Sequence, residues 1–164
     1  MHKLWIGFLA AASAVCFWML AKTGTDAAKL LPARVLVIEE RDGAVRVSSD
    51  NGAAGSGETL AAALQQMEQS AEGVLFLDTA EHIVLLRPSQ ALLEQAVTQP
   101  SFRPAAKLYV SRAEELDVSA LVELLRAHPG KLTLSQAHAA LLRGEPLRPA
   151  VLKLSEEGGV MLGK

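Results

Sequence analysis

The sequence has few of the residues on which several common classes of site depend. It contains one cysteine, two tryptophans, one tyrosine and four phenylalanines. A single cysteine excludes both an internal disulfide framework and a zinc site built from cysteines. Sixteen basic residues against 18 acidic ones give a net charge of −2, and so the chain lacks the basic excess typical of nucleic-acid-binding domains. No nucleic-acid partner is therefore expected.

What the sequence does contain is enough apolar material for one compact domain. Half of the 164 residues are hydrophobic and 21% are charged, which excludes disorder throughout the chain. Residues 4–21 form an uninterrupted run without a charged side chain. At about 1.5 Å per helical residue, that run spans about 27 Å, close to the thickness of a bilayer core.

This run predicts a signal anchor, a transmembrane helix over residues 1–21, followed by a tether over residues 22–32. Two alternatives stay open. A signal peptidase could cleave after Ala12-Ser13-Ala14, and Cys16 could be lipidated, although it follows Val15. A short basic N-terminus favours the orientation that places the C-terminal domain outside the cytoplasm. The expected localisation is the cell membrane, with a single span.

Residues 33–164 carry the pattern of a mixed α/β or α+β domain. Short apolar runs alternate with amphipathic segments in the order β-β-α-β-β-α-β-α-α-β-β. The pattern predicts a sheet of about six to seven strands with about four to five helices on one or both faces, and some parallel pairing. Asp42-Gly43 predicts the turn of a first hairpin. Helices are expected over residues 58–71, 89–97, 118–128 and 134–143.

Three local patterns give sharper expectations. The glycine-rich stretch over residues 50–57 predicts a loop with Ser56 as the N-cap of the next helix, since it lacks the Lys-Ser/Thr of a phosphate-binding loop. Ser111 and Glu114 have the spacing of a capping box that opens one helical turn. Thr133 and Gln136 form a second such box.

No catalytic or metal-binding pattern is present. The three histidines of the domain, His82, His128 and His138, lack metal-ligand spacing and are expected to be solvated. There is no G-x-S-x-G elbow, and adjacent glutamates do not face one another on a helix or strand. We expect no enzyme activity, no metal and no cofactor.

One short segment has the composition of a protein contact. Phe102 and Arg103 lie in a loop between Pro100 and Pro104. Aromatic residues and arginine are enriched at the centres of interfaces. Phe102 and Arg103 are therefore the predicted partner contacts.

A longer stretch resembles a known family. The segment Gly55-Ser-Gly-Glu-Thr-Leu-Ala-Ala-Ala-Leu64 opens an amphipathic helix. Two apolar segments follow it, at residues 74–77 and 83–86. A proline-containing loop, a strand and a small helix come next, at residues 99–103, 107–111 and 112–116. This order is similar to that of the N-terminal domain of the Ger(x)C family, the C subunits of spore germinant receptors. The resemblance covers about residues 33–155 and implies a short form without the family's further C-terminal domains.

The resemblance implies a membrane-tethered, extracytoplasmic, non-catalytic interaction module that acts in spore germination. Its partners would be the membrane and the integral membrane subunits of a germinant-receptor-like complex. Two alternatives remain: an unrelated membrane-anchored scaffold or assembly domain, and a small-ligand binder. An exposed apolar patch would favour interaction, whereas a deep pocket with convergent polar groups would favour ligand binding.

Overall fold

The structure, a computed structural model, describes residues 30–114, 116–154 and 160–163. Residues Leu31–Lys164 form one compact unit. The predicted transmembrane helix over residues 1–21, and Cys16 within it, lie outside the described residues. Among the residues that are described, no helix is both long enough and apolar enough to cross a membrane.

The described elements confirm a mixed α/β fold. Strands and helices alternate along the chain, together with one 3-10 turn at Leu77–Thr79. The strands are β1 Leu30–Pro32, β2 Val35–Arg41, β3 Ala44–Ser49, β4 Ala54–Gly57, β5 Val74–Phe76, β6 His82–Leu86, β7 Lys107–Ser111, β8 Ala150–Leu154 and β9 Val160–Gly163. The helices are α1 Leu60–Ser70, α2 Gln90–Thr98, α3 Val118–Ala127 and α4 Leu134–Leu142.

Seven of these strands form one sheet, in the order β4-β3-β2-β6-β7-β8-β9. The four central strands β2, β6, β7 and β8 are parallel, and antiparallel hairpins close both sides. The register aligns Val37, Val84, Tyr109 and Ala150 across the parallel strands. Strands β1 and β5 pair separately as a small ribbon.

The first hairpin forms as its sequence predicts. Asp42 and Gly43 both have positive φ, 54° and 76°, which is the conformation of a two-residue turn between twisted strands. The antiparallel hairpin of β8 and β9 is likewise confirmed.

Helices cover the two faces of the sheet unequally. Because side chains alternate along a strand, Leu36 and Ile38 point to one face and Val35 and Val37 to the other. Helices α1, α2 and α4 pack on the first, which we call the α1 face. Among the described helices, α3 alone packs on the second, the α3 face. The parallel pairing and the presence of helices on both faces agree with the sequence pattern.

The glycine-rich stretch is partly a strand, contrary to the expectation of a loop up to residue 57. Residues 54–57 pair with β3 as the edge strand β4, and the N-cap of α1 is Thr59 rather than Ser56. A Cβ at Gly55 would lie 2.8 Å from the Cα of Met67, and one at Gly57 would lie 2.7 Å from the backbone N of Ala63. The glycines thus allow α1 to rest directly on the backbone of β4.

The capping box expected at Ser111 is wrong. Ser111 is the last residue of β7, and residues 112–114 are not helical. Its hydroxyl donates to the carbonyl of Leu152 at 3.0 Å and accepts from the backbone N–H of Ala113 at 3.2 Å, so it joins β7 to β8. The capping box of Thr133 and Gln136 is confirmed at the start of α4.

Candidate functional site

The two predicted contact residues lie in different environments. Phe102 is only 4% exposed and packs in the core of the α1 face, where it also lines a shallow pocket of about 330 Å³. A turn closed by the Phe102 N–H and the carbonyl of Gln99, at 3.3 Å, belongs to this loop. The ring is therefore part of the core rather than a free contact surface. Arg103 is exposed, and its contact role remains a prediction.

The structure shows a different apolar contact surface, on β5. Val74 is 45% exposed and Phe76 is 36% exposed, and their spacing by two residues places them on one face of the strand. Leu75 between them packs against the core. We call Val74 and Phe76 the β5 pair. The sequence indicates a buried strand here, because an apolar run does not reveal that β5 pairs outside the main sheet.

A second candidate surface is a groove on the α3 face. Its volume is about 600 Å³, and its floor includes Val37, Leu86 and Leu116, each at most 6% exposed. Glu39 and Arg46, 4.0 Å apart, stand at its rim. A partner would therefore meet both polar and apolar groups in this groove.

His82 is buried, contrary to the expectation that it is solvated. It is 7% exposed, and its Nδ1 lies 3.1 Å from the hydroxyl of Tyr109, which is fully buried. The N–H of Gly130 donates to that hydroxyl at 2.7 Å. The hydroxyl proton is then available for Nδ1, which assigns neutral His82 the tautomer protonated on Nε2.

The electrostatics of this network favour the uncharged forms of both side chains. Burial lowers the pKa of His82, the charge of Lys107 acts in the same direction, and Glu81 opposes them. Burial raises the pKa of Tyr109, and the hydrogen bond from Gly130 partly offsets that rise. A buried pair without access to a substrate is a structural feature, and it ties β6 and β7 to the loop between α3 and α4.

Gly130 has a steric role in the same network. A Cβ at this position would lie 2.9 Å from Cε1 of the Tyr109 ring. The tyrosine ring therefore leaves room only for glycine at position 130. No sequence motif marks this dependence, because the two residues meet only in the fold.

Among residues 30–114, 116–154 and 160–163, no group of three or more His, Cys, Asp or Glu side chains could hold a metal ion. The described residues also form several candidate binding surfaces.

The largest of these surfaces is a cleft at the carboxyl ends of the parallel strands. It measures about 890 Å³ and contains the residues that follow or end β6, β7 and β8. Three cations line it: Arg87, Arg112 and Lys153. Sequence reasoning missed this cluster because the three residues are far apart in the chain. The signal that could have revealed the cluster is that each of three successive strand patterns has a basic residue near its end or immediately after it.

No family model matches this chain, and neither a curated protein nor a solved structure is significantly similar to it.

Proposed function

We propose that this chain is a membrane-tethered, extracytoplasmic and non-catalytic interaction module, of the kind found in the C subunit of a germinant receptor. The observation that carries the proposal is the β5 pair, Val74 and Phe76. An exposed aromatic residue beside an exposed aliphatic one is typical of the centre of a protein interface. The resemblance to the Ger(x)C family supplies the class of partner.

The position of the β5 pair in the chain suits a partner at the membrane. The proposed anchor ends at residue 21, and β1, which pairs with β5, begins at Leu30. The eight residues between them reach at most about 30 Å when extended. A tether of this length is compatible with a partner in the same bilayer.

The acidic residues near β5 favour a protein over the lipid surface itself. Glu72 and Asp78 flank the strand, and both are exposed. An anionic bilayer would repel them, whereas a membrane subunit with basic loops would attract them. The expected partner is thus an integral membrane protein with a complementary apolar and basic patch.

The test is co-purification of the tagged full-length chain from membranes of the sporulating native cell. The double variant Val74→Ser with Phe76→Ser removes the apolar pair, and Leu142→Ser is the matched control because Leu142 is 80% exposed elsewhere. Loss of two contact side chains of this type costs about 3 kcal/mol of binding, which is more than a hundredfold in affinity.

The proposal expects wild type and Leu142→Ser to recover germinant-receptor membrane subunits, and the double variant to lose them. Equal recovery by all three proteins would overturn the role of the β5 pair. Recovery of a different membrane complex by wild type would overturn the germinant-receptor assignment and support the scaffold alternative.

A further inference from the structure

We propose that the cleft at the carboxyl ends of β6, β7 and β8 binds a small organic phosphate through Arg87, Arg112 and Lys153. This inference is independent of the proposed function, because the cleft and the β5 pair share no residue. It rests on the topology of the sheet, the charges in the cleft, the apolar residues beside them and the backbone of Arg87.

The topology opens a crevice at this place. After β6 the chain passes to α2 on the α1 face, whereas after β7 it passes to α3 on the opposite face. The two connections leave a crevice between them here, and in open sheets of parallel strands ligands bind outside the carboxyl ends of the strands. The N–H of Arg87 donates to the carbonyl of Ser111 at 2.7 Å and links the ends of β6 and β7.

The charges in the cleft select a dianion. Arg87, Arg112 and Lys153 are all exposed, and the carboxylate of Glu114 lies 3.4 Å from the guanidinium of Arg87. The sum over these four groups is +2. Two guanidinium groups match the oxygens of a phosphate in paired hydrogen bonds, and an ammonium adds a mobile point charge. A phosphate monoester is a dianion above its second pKa of about 6.

The helix terminus beside the cleft does not provide the anion site. Ser89, the N-cap of α2, donates its hydroxyl to the carboxylate of Glu40 at 2.6 Å. A side-chain carboxylate of the chain already lies at that terminus. The cationic side chains are therefore the groups that would hold the ligand.

The size and apolar lining of the cleft point to an organic ester rather than a bare ion. Its volume of about 890 Å³ far exceeds that of a phosphate group and lies in the range of small-molecule sites. Val110 and Val151, neighbours on β7 and β8, are half-buried and line it together with Pro88. An apolar or ring-bearing group of the ligand can pack on them while the phosphate meets the cations.

The backbone of Arg87 also indicates a functional constraint. Its φ is +43°, in the left-handed region that glycine adopts without cost and other residues rarely enter. A side chain held in such a conformation commonly marks a ligand-binding position. Glycine would fold here more easily, but it would remove one of the three cations.

The experiment is calorimetric titration of the full-length chain in detergent with phenyl phosphate, repeated with Arg112→Gln and Lys153→Gln. Arg126→Gln is the matched control, since Arg126 is an exposed arginine on α3 outside the cleft. Each cleft variant should weaken binding about tenfold, the value of one charge-assisted hydrogen bond. Arg126→Gln should bind as wild type does, and wild type should bind more weakly at pH 5 than at pH 7.5.

Absence of heat with wild type, or equal weakening by Arg126→Gln and the cleft variants, would overturn the site. Two further titrants identify the source of the phosphate when wild type binds. Displacement of phenyl phosphate by mixed micelles of detergent with phosphatidic acid, but not by mixed micelles with phosphatidylcholine, assigns the site to a lipid headgroup. Displacement by neither kind of micelle assigns it to a soluble phosphate ester.

Discussion

Substitution of Gly55 by alanine tests how α1 is held on the sheet. Gly55 and Gly57 lie at the start of the segment Gly55 to Leu64 on which the resemblance to the Ger(x)C family rests, and the structure gives the two glycines a steric role. The new methyl group at position 55 would lie 2.8 Å from the Cα of Met67 and closer still to the carbonyl of Ala63. These are backbone atoms of a helix, so no side-chain rotation relieves the overlap.

The expected cost follows from what must move. Ordinary contact begins at 3.4 Å, so α1 has to withdraw from β4 by more than half an ångström. Leu60, Leu64 and Met67 are at most 3% exposed on the inner side of that helix and would lose packing. Overpacking of this kind costs about 1–3 kcal/mol, and a shift of a whole helix places this case at about 3 kcal/mol. The melting temperature should fall by about 10 °C.

The assay is thermal unfolding of the full-length chain in detergent, followed by circular dichroism. Ala54→Ser is the control, because Ala54 is exposed on the same strand and its change should cost less than about 0.5 kcal/mol. A Gly55→Ala protein that unfolds within 1 °C of wild type would show that α1 does not lie on β4 as described. The steric account of the glycine pair would then be refuted.

Further predictions concern the buried network and the cleft. Tyr109→Phe leaves the Gly130 N–H and His82 Nδ1 without their partner. We expect the free energy of unfolding in urea to fall by about 1–3 kcal/mol. An unchanged midpoint would show that the hydroxyl is not hydrogen-bonded. Because burial lowers the pKa of His82 from its ordinary value of 6.5, the unfolded chain binds more protons than the folded chain as the pH falls below that value. The stability that neutral His82 contributes is therefore present above that pH and is lost as the pH falls through the lowered folded value, with a slope of at most about 1.4 kcal/mol per pH unit. His82→Gln should flatten the curve of unfolding free energy against pH in this range. If the variant keeps the wild-type slope, the pH dependence belongs to another group. Arg87→Gly should raise the melting temperature by relief of the positive φ while weakening phenyl phosphate binding, and unchanged binding would separate Arg87 from the cleft.

The elements that local patterns encode were predictable from the sequence. Asp42-Gly43 specifies its hairpin turn because both positions require positive φ. Thr133 and Gln136 specify the start of α4 because their side chains satisfy each other's backbone N–H groups. Apolar periodicity gave the central strands and the four helices to within a few residues, since the burial of one face fixes that period.

Elements that depend on a distant partner were not predictable in this way. β4 has the composition of a loop, but it pairs with β3 as a strand, and α1 packs closely on its two glycines. Ser111 has the spacing of a helix cap, but its hydroxyl bonds Leu152 on a strand that follows much later. Phe102 has the setting of an exposed loop residue, but its ring completes the core of the α1 face.

The candidate surfaces show the same limit. The β5 pair is exposed because β5 pairs with β1 outside the main sheet, which no local pattern reveals. The cleft exists because three strands end side by side, and each of its cations alone is an ordinary surface residue. Composition and spacing indicated which classes of site lack their characteristic residues in the sequence. The positions of the candidate surfaces could be identified only from the fold.

The most direct test of the central claim is photo-crosslinking from position 76 in the sporulating native cell. A photoreactive phenylalanine analogue replaces Phe76 in the full-length chain, and the same analogue at Leu142, exposed elsewhere, is the control. The account predicts a crosslink from position 76 to an integral membrane subunit of a germinant-receptor-like complex, and none to that subunit from position 142. No crosslink from position 76, or equal crosslinks from both positions, would contradict it.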